Sequence, residues 1–482
     1  MNDQSKIHDV VVAGFGPAGI ALAAAIEDHQ DANPGRAREL DAVYLERAAS
    51  SAWQPNLVLP GTDIQHHFLR DLATPRDPRS RFTFPSYLWQ SGRFYQFTLM
   101  SGYVSREEWS DYIEWASTQV SQPVHYHREV SLVEPVPDPG GRVRAVRVVS
   151  RDTRDNSTHE QVGRNVVIAT GHEPWVPDMF RPYLGDRVFH ASQLLPRLEA
   201  LRGEGRDPSR IAVVGAGQTA GEIALHLAAL YPAAQVHSIV RHAGFRMYEL
   251  GHFSNEVYFP DQTDYFYALS PEQRERALDQ SRPTNYAAVD PDVSAALYKA
   301  VYDDQRKGCH RLHMHRRTEI VSVTAGGGDG AIGLDTVQVH TEERGRIDAD
   351  LVILCTGYRE PVLPAPLRPM IPYLRQDEAG RPSLTREFRA ETTDDCEVGV
   401  YLDGITEWRH GIGTATSFSQ MATRADTIHR DLRRRVTDSA VAGEQPSVAD
   451  EHPSVADEQP SIADAQPDTV DDGRVLAGAG DR

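Results

Sequence analysis

Two glycine-rich turns are the places in this chain where residue type and spacing point most directly to chemistry. The first, Gly14-Phe-Gly16-Pro17-Ala-Gly19, follows the apolar run 9–13 and opens the alanine-rich stretch 20–28. A strand that turns tightly into a helix presents free backbone N–H groups and the positive end of the helix dipole, which together hold a pyrophosphate. In such a turn Gly14 permits the bend, Gly16 lets the backbone approach the phosphates, and Gly19 lets helix and strand pack closely. A second apolar strand, 42–45, ends in Glu46, whose carboxylate can bond both ribose hydroxyls of an adenosine. That placement favours a dinucleotide site over a glycine turn used only for packing.

The second turn, Gly215-Ala-Gly217-Gln218-Thr219-Ala220, follows the apolar run 211–214 and differs in two ways. Ala220 replaces the third glycine, and the next strand, 235–241, ends in Arg241 where an NAD site would carry an acid. Arginine suits a 2′-phosphate, so NADPH is expected here, with Arg246 a second candidate for that phosphate; Arg241 as a plain surface residue is the alternative. Two further apolar strands end in Thr170-Gly171 and Thr356-Gly357, strand ends that return the chain beside bound nucleotides.

Continuous apolar strands followed by helices belong in parallel sheets covered on both faces. The expected fold is therefore α/β, with two Rossmann-like dinucleotide-binding domains and a small helical substrate-binding region. The division expected is a discontinuous FAD-binding domain, 1–204 with 346–436, and an NADPH-binding domain, 205–345, that includes a helical substrate segment at about 255–308. Beyond it, 437–482 carries the repeat Glu444-Gln-Pro-Ser-Val-Ala-Asp450, twice echoed to Asp464; each unit holds a proline and one sizeable aliphatic residue, so disorder is expected. The 482 residues carry a formal charge of −19. From Asp438 to Arg482 eleven acids face two arginines, a net of −9, so the body is only mildly acidic. A nucleic-acid partner is not expected from this charge, and no apolar stretch is long enough to span a membrane. Cys309, Cys355 and Cys396 have no metal-like spacing, so no metal is expected and a reducing, cytoplasmic location is. A homo-oligomer is expected.

With these motifs placed, residues from about 8 to 435 resemble the class B flavoprotein monooxygenases, within them the N-hydroxylating group that includes the ornithine and lysine N-monooxygenases of siderophore biosynthesis. The most specific stretch is 59–78, from Leu59-Pro-Gly through Gln65-His-His-Phe68-Leu-Arg70-Asp71 to Asp77-Pro78; Asn255-Glu256, Asp264-Tyr-Phe-Tyr, Thr284-Asn285-Tyr286 and His410-Gly411 leading to Ser419 add to it. The resemblance implies FAD on the first glycine turn and NADPH on the second. It implies a C4a-hydroperoxyflavin, formed with O2, whose distal oxygen is attacked by an unprotonated amine, which would explain why no serine, cysteine or metal constellation is present. Carried over by position, Trp53 would lie near the flavin, Gln65 near the flavin and the substrate, and Asn255 would contact substrate and retained NADP. Thr284 and Asn285 would hold the substrate, Asn285 through its backbone carbonyl at the reacting amine, with the Ser419 hydroxyl assisting. Gln218 would occupy the family's place in the second turn. Each polar residue could instead satisfy a local turn.

The departures bear on the substrate. Arg70 stands where the ornithine and lysine enzymes have a carboxylate-binding lysine, His66 and His67 replace small or aliphatic residues, Gln54 follows Trp53, and Asn56-Leu57 replaces Gly-Met. Arginine is a planar, bidentate carboxylate clamp. One expectation, placed slightly ahead, is an acidic amino acid such as L-aspartate, hydroxylated at its α-nitrogen and oxidised further toward nitroso or nitro, with Arg70 and a protonated His66 or His67 balancing two carboxylates. The alternative is L-ornithine or L-lysine hydroxylated at the distal nitrogen for siderophore or natural-product biosynthesis. A Baeyer–Villiger or sulfide-oxidising enzyme would lack the 65–77 block, a disulfide reductase would need a paired cysteine motif, and a non-enzymatic nucleotide sensor would show no substrate-stimulated NADPH oxidation.

Overall fold

A computed structural model of the protein describes residues 6–35, 39–100, 102–325, 330–415 and 417–443. Its first layer is a seven-stranded sheet built around Ile7–Ala13, whose β-branched run is buried from His8 to Ala13. This strand pairs in parallel with Ala42–Leu45 on one side and Thr158–Ile168 on the other. Val124–His125 extends the sheet beyond Ala42–Leu45, and Gly399–Leu402 pairs in parallel with the end of Thr158–Ile168. An antiparallel ribbon, Arg128–Pro137 with Val143–Asp152, continues from that same strand.

The helix Pro17–Ala32 is buried continuously from Gly19 to Glu27, as an alanine-rich helix between sheet and covering helices must be. The Glu27 carboxylate this buries is not left alone: it accepts the backbone N–H and hydroxyl of Ser121 and pairs with Arg81. Behind the sheet, Met421–Gly443 places Ala425, Ile428, Leu432 and Val436 into the same core cluster at three- and four-residue spacing, and the buried pair Arg424–Asp403 (2.5 Å) ties its first turns to the end of Gly399–Leu402. This helix continues past the boundary expected at 437; the acidic repeat itself, 444–464, lies outside the described residues.

The second layer is a five-stranded parallel sheet in the order Leu312–Arg316, Gln235–Val240, Arg210–Val214, Leu351–Leu354, Val188–His190. Two of its strands, 188–190 and 351–354, lie outside the expected 205–345 division. An apolar run announces a buried parallel strand but does not say which of two parallel sheets it joins. Between these strands lies a run of helices: His252–Asn255, Pro260–Ala268, Pro271–Ser281 and Pro291–Arg306. Three of them begin on proline, whose fixed φ and missing N–H suit the first helical position, and Ser270 with Gln273 forms a capping box. Cys309, Cys355 and Cys396 are unpaired. Among the described residues no group of histidine, cysteine or acidic side chains could hold a metal, and no helix is long and apolar enough to cross a membrane.

Candidate active site

The first glycine turn has the backbone its sequence requires. Gly14 takes φ +103°, and a Cβ there would lie 2.4 Å from the Ala169 carbonyl oxygen; at Gly19 a Cβ would lie 2.4 Å from the Gly14 oxygen. At Gly16 a Cβ would meet nothing within 4 Å, so the open space sits where a phosphate would approach. Gly16 is the N-cap of Pro17–Ala32 without any side-chain cap, whereas Ser105 and Ser270 cap their own helices. The first-turn N–H groups are thus free for an anion. Glu46 follows the neighbouring strand, and its two oxygens accept the N–H groups of Phe15 and Ala48, each at 2.8 Å, which locks the acid to the turn and leaves further lone pairs on both oxygens.

The second turn repeats this with differences. Gly215 takes φ +146° with a virtual Cβ 2.3 Å from the Cys355 oxygen, and Gly217 is an uncapped helix start with its nearest neighbour at 3.9 Å. Ala220 is fully buried, and the close-packing glycine is Gly221, one residue later, whose Cβ would lie 2.9 Å from Val293. Gln218 lies in the second turn as expected and also has partners within the protein. Its side chain is buried, donating to Glu222 (2.8 Å) and accepting the Asp290 N–H (2.8 Å), so its amide is used internally. Glu222 also takes both arms of Arg106 (2.8 and 2.9 Å), while Asp290 accepts from Gln65 (3.1 Å), and the chain of contacts spans the two sheets.

A cavity of about 1130 Å³ opens beside this second turn. Its wall includes Trp53, Gln65, Arg70, Gly215, Gly217, Gln218, Thr219, Arg241, Asn255, Thr284, Asn285, Thr356, Gly357 and Ser419. Of the expected site residues, Gly14, Gly16, Pro17, Gly19 and Glu46 do not line it, nor does Arg246, whose guanidinium rests against His242 (3.4 Å). Arg241 is exposed and only 3.9 Å from Glu319, leaving it available to another anion. Thr356 and Gly357 hold the strand end in place, the hydroxyl donating to the Trp175 carbonyl and the Gly357 carbonyl accepting from Trp175 N–H (2.9 Å).

On the opposite wall Arg70 is half-buried and donates to the Ser419 hydroxyl at 2.9 Å. No carboxylate pairs with it among the described residues. Burial lowers its pKa, yet a guanidinium stays charged in a protein. Arg70 and Ser419, expected at different parts of the substrate, are therefore direct neighbours. Tyr258 comes next, its hydroxyl 3.1 Å from both the carbonyl and the hydroxyl of Thr284. The Asn285 backbone carbonyl has no donor among the described residues, as a group reserved for a ligand would. Asn255 spends its amide protons on the carbonyls of Glu249 (2.8 Å) and Gly251 (3.0 Å) and keeps its oxygen free.

The histidine expectation fails. His66 stacks on Phe418 and edges onto Trp109, both at 4.9 Å between ring centres, and burial drives its pKa down to about 4, so it is neutral at pH 7. His67 lies on Phe68 and uses Nδ1 to accept the Leu69 N–H. His66 therefore supplies no second cation, and His67 does not line the cavity. His410, part of the 410–419 match, is a core residue: its Nε2 is 3.0 Å from the Thr385 carbonyl and its ring packs on Phe388.

Sequence reasoning missed the acidic end of the same cavity. Glu407, from the short helix Glu407–His410, accepts from the Tyr286 hydroxyl, and its backbone N–H donates to Glu360 (2.8 Å), which lies 3.3 Å from His172. All four line the cavity. Burial pushes the Glu407 carboxyl up to about 7, with the Tyr286 hydrogen bond opposing and Glu360 reinforcing. Tyr258 lies close enough to both ends to feel Glu407 and Arg70 together. The one available signal was position: Glu407 stands three residues before the His410-Gly411 match.

Residues 6–360 match the family described as L-lysine 6-monooxygenase/L-ornithine 5-monooxygenase. The L-ornithine N(5)-monooxygenase of Pseudomonas aeruginosa is 31% identical over 443 residues, covering 90% of this chain and 96% of the relative. Among solved structures, an ornithine N-hydroxylase from Kutzneria sp. 744, described with reduced FAD, NADP+ and L-ornithine, superposes with a TM-score of 0.82 at 33% identity. The L-lysine 6-monooxygenase of Pseudomonas syringae does so with 0.79 at 39%; both comparisons cover 89% of this chain and 100% of the other. Matched along nearly the full length of these enzymes, with two dinucleotide turns and a large cavity opening beside the second of them, the chain belongs to the L-lysine 6-monooxygenase/L-ornithine 5-monooxygenase family of flavin-dependent N-hydroxylating enzymes.

Proposed function

We propose that this enzyme hydroxylates the distal amine of a diamino acid, L-ornithine or L-lysine, with FAD on the first glycine turn, NADPH on the second and O2 as co-substrate. The observation that carries this reading is the bipolar cavity: Arg70, a guanidinium with no carboxylate partner among the described residues, at one side and the Glu407–Glu360 carboxylates at the other, with Tyr258 between. A diamino acid offers one carboxylate and a distal ammonium, which match those two signs. Aspartate offers two carboxylates and no distal ammonium, so one carboxylate would be set against the Glu407–Glu360 end, and His66, neutral at pH 7, does nothing to offset it. The relatives are ornithine and lysine enzymes, which supports the same choice.

In this reading Arg70 holds the substrate carboxylate, with the Ser419 hydroxyl fixing the guanidinium, and the Asn285 carbonyl accepts a hydrogen bond from the amine. Asn255, through its free amide oxygen, and Gln65, held by Asp290, close the chamber toward the second turn. The flavin, once bound, supplies the activated oxygen; the chain's residues orient the amine and keep water out. The test is to assay the FAD-loaded enzyme with NADPH and O2 against L-ornithine, L-lysine, L-aspartate, putrescine and cadaverine, reading hydroxylated product by mass spectrometry. Product from ornithine or lysine is expected. Product from aspartate or from a diamine alone overturns the reading.

A further inference from the structure

Amine oxidation at nitrogen needs a lone pair, and a distal amine is an ammonium at neutral pH because its ordinary pKa is near 10.4. Some group has to hold that cation and remove its proton inside the chamber. Arg70, Asn285, Asn255, Gln65 and Ser419 cannot: none is a base in this range.

From the geometry we infer that Glu407 is that group: it receives the substrate's distal ammonium and takes one of its protons, with Tyr286 holding the carboxylate in place. The inference rests on the diamino-acid reading. Glu407 lies on the cavity wall next to the 284–286 segment, whose Asn285 carbonyl is open, and the Tyr286 hydroxyl donates directly to it. In the step, one N–H bond of the ammonium breaks and one O–H bond forms on Glu407. The nitrogen keeps the electron pair, and the two opposite charges cancel. The proton leaves Glu407 for water when product departs.

The surroundings set the base strength. Tyr286 and Arg282 face Glu407 from the 282–286 turn, Glu360 from the loop beyond Tyr358–Arg359, and His172 from the loop after Thr158–Ile168. On its own helix Arg409 is turned onto the Tyr267 ring and His410 is buried against Phe388. On the two helices packed against it, Asp264 pairs with Arg386 and Arg274 donates to the Leu269 carbonyl. Burial and Glu360 make the carboxyl a better base than an exposed glutamate, and its value of about 7 lies near the operating pH.

The experiment uses the FAD-loaded full chain and whichever diamino acid it hydroxylates. Substrate affinity is measured by calorimetry from pH 5.5 to 8.5 in two buffers of different ionisation heat. Below about 7, Glu407 must shed its own proton to meet the ammonium. Wild-type affinity should therefore weaken by roughly tenfold per pH unit there, with close to one proton released per substrate bound. Glu407→Gln should lose that acid limb and the proton release. Its kcat/KM for product should fall on the order of a hundredfold at pH 7, and recover as pH rises toward the pKa of the free amine. Tyr286→Phe removes a hydrogen bond that favours the carboxylate, so the limb should move to higher pH; this variant serves if Glu407→Gln does not fold. An acid limb and proton release unchanged in Glu407→Gln, or a limb unmoved in Tyr286→Phe, overturns the inference while leaving the substrate reading intact. Failure of the wild type to hydroxylate any diamino acid overturns the reading and the inference together.

Discussion

The two glycine turns begin from nearly the same sequence and solve different packing problems. In the first, helix and turn pack on each other, and Gly19 is needed because its Cβ would strike the Gly14 oxygen. In the second, the equivalent position carries a buried methyl, Ala220, and the tight contact moves to Gly221, where a second helix, Pro291–Arg306, presses with Val293 and Leu297. The ribose ends differ too. Glu46 is fixed by two backbone N–H groups, Phe15 of the glycine turn and Ala48 just after the strand, whereas Arg241 is two-thirds exposed with one loose contact. The proposed FAD turn is thus preorganised before its ligand arrives, and the proposed NADPH turn keeps its charged arm in water. A permanently held cofactor and one that enters and leaves make these opposite demands.

The strongest way to break the comparison is at the first glycine of each turn. Gly14→Ala and Gly215→Ala both force a side chain into left-handed backbone and against a backbone oxygen that cannot yield. Strain and overpacking together cost about 2–6 kcal/mol. Gly14→Ala should yield protein with little bound flavin and a lowered Tm, read from the absorbance ratio at about 450 and 280 nm. Gly215→Ala should keep its flavin and lose NADPH-driven reduction. Equal flavin loss in both would mean the turns are not specialised as proposed.

Arg241 sharpens the ribose-end contrast. Arg241→Ala should weaken NADPH by about 1–3 kcal/mol, a lost charged hydrogen bond, and leave NADH nearly unchanged. The comparison of KM for the two nucleotides checks it. Equal losses would take Arg241 off the 2′-phosphate and turn attention to His242 and Thr318, which line the same stretch of cavity.

Ala220 tests the packing difference directly. Were the second turn built like the first, Ala220→Gly would be neutral or favourable. The methyl is fully buried among Leu57, Ile211 and Leu227, and the residue lies inside a helix. Glycine there should cost about 1–2 kcal/mol, from backbone entropy and one lost buried methyl. Chemical denaturation of the wild type and variant reads this, and a stabilised variant would contradict the packing account.

What the sequence made legible follows from which constraints act locally. Gly14, Gly19 and Gly215 were readable because a strand-to-helix turn has steric demands that only glycine meets, and those demands sit within six residues. The strand 351–354 was legible as buried and parallel, but its partner was not, since both sheets accept the same apolar run. The internal partners of Gln218 were not legible, because one of them, Asp290, stands more than seventy residues away in the sequence. Glu407 left no local mark at all. Its chemistry arises only when Tyr286, Glu360 and His172 arrive from three other segments. The acidic-substrate expectation lost its support from His66 for the same reason: that ring is buried against Trp109 and Phe418, neither of them a sequence neighbour.

The smallest predicted effect isolates ligand from fold. Gly16 and Gly217 are matched on the protein side: each is an uncapped helix start in extended backbone, and a Cβ at either meets essentially nothing. Alanine at either position should therefore cost the unliganded fold less than about 1 kcal/mol, the usual difference between glycine and alanine at a helix N-cap. If each open space is where a pyrophosphate lies, the methyl should collide with that ligand alone. Gly16→Ala should weaken FAD by at least roughly tenfold, about 1.4 kcal/mol, with NADPH binding to the flavin-loaded fraction unchanged, and Gly217→Ala should do the reverse. Apoprotein Tm, FAD titration and NADPH KM together read the pattern. A methyl at Gly16 that leaves FAD affinity untouched would show that the phosphates approach the first turn from elsewhere, and would remove the steric reason for a glycine at that position.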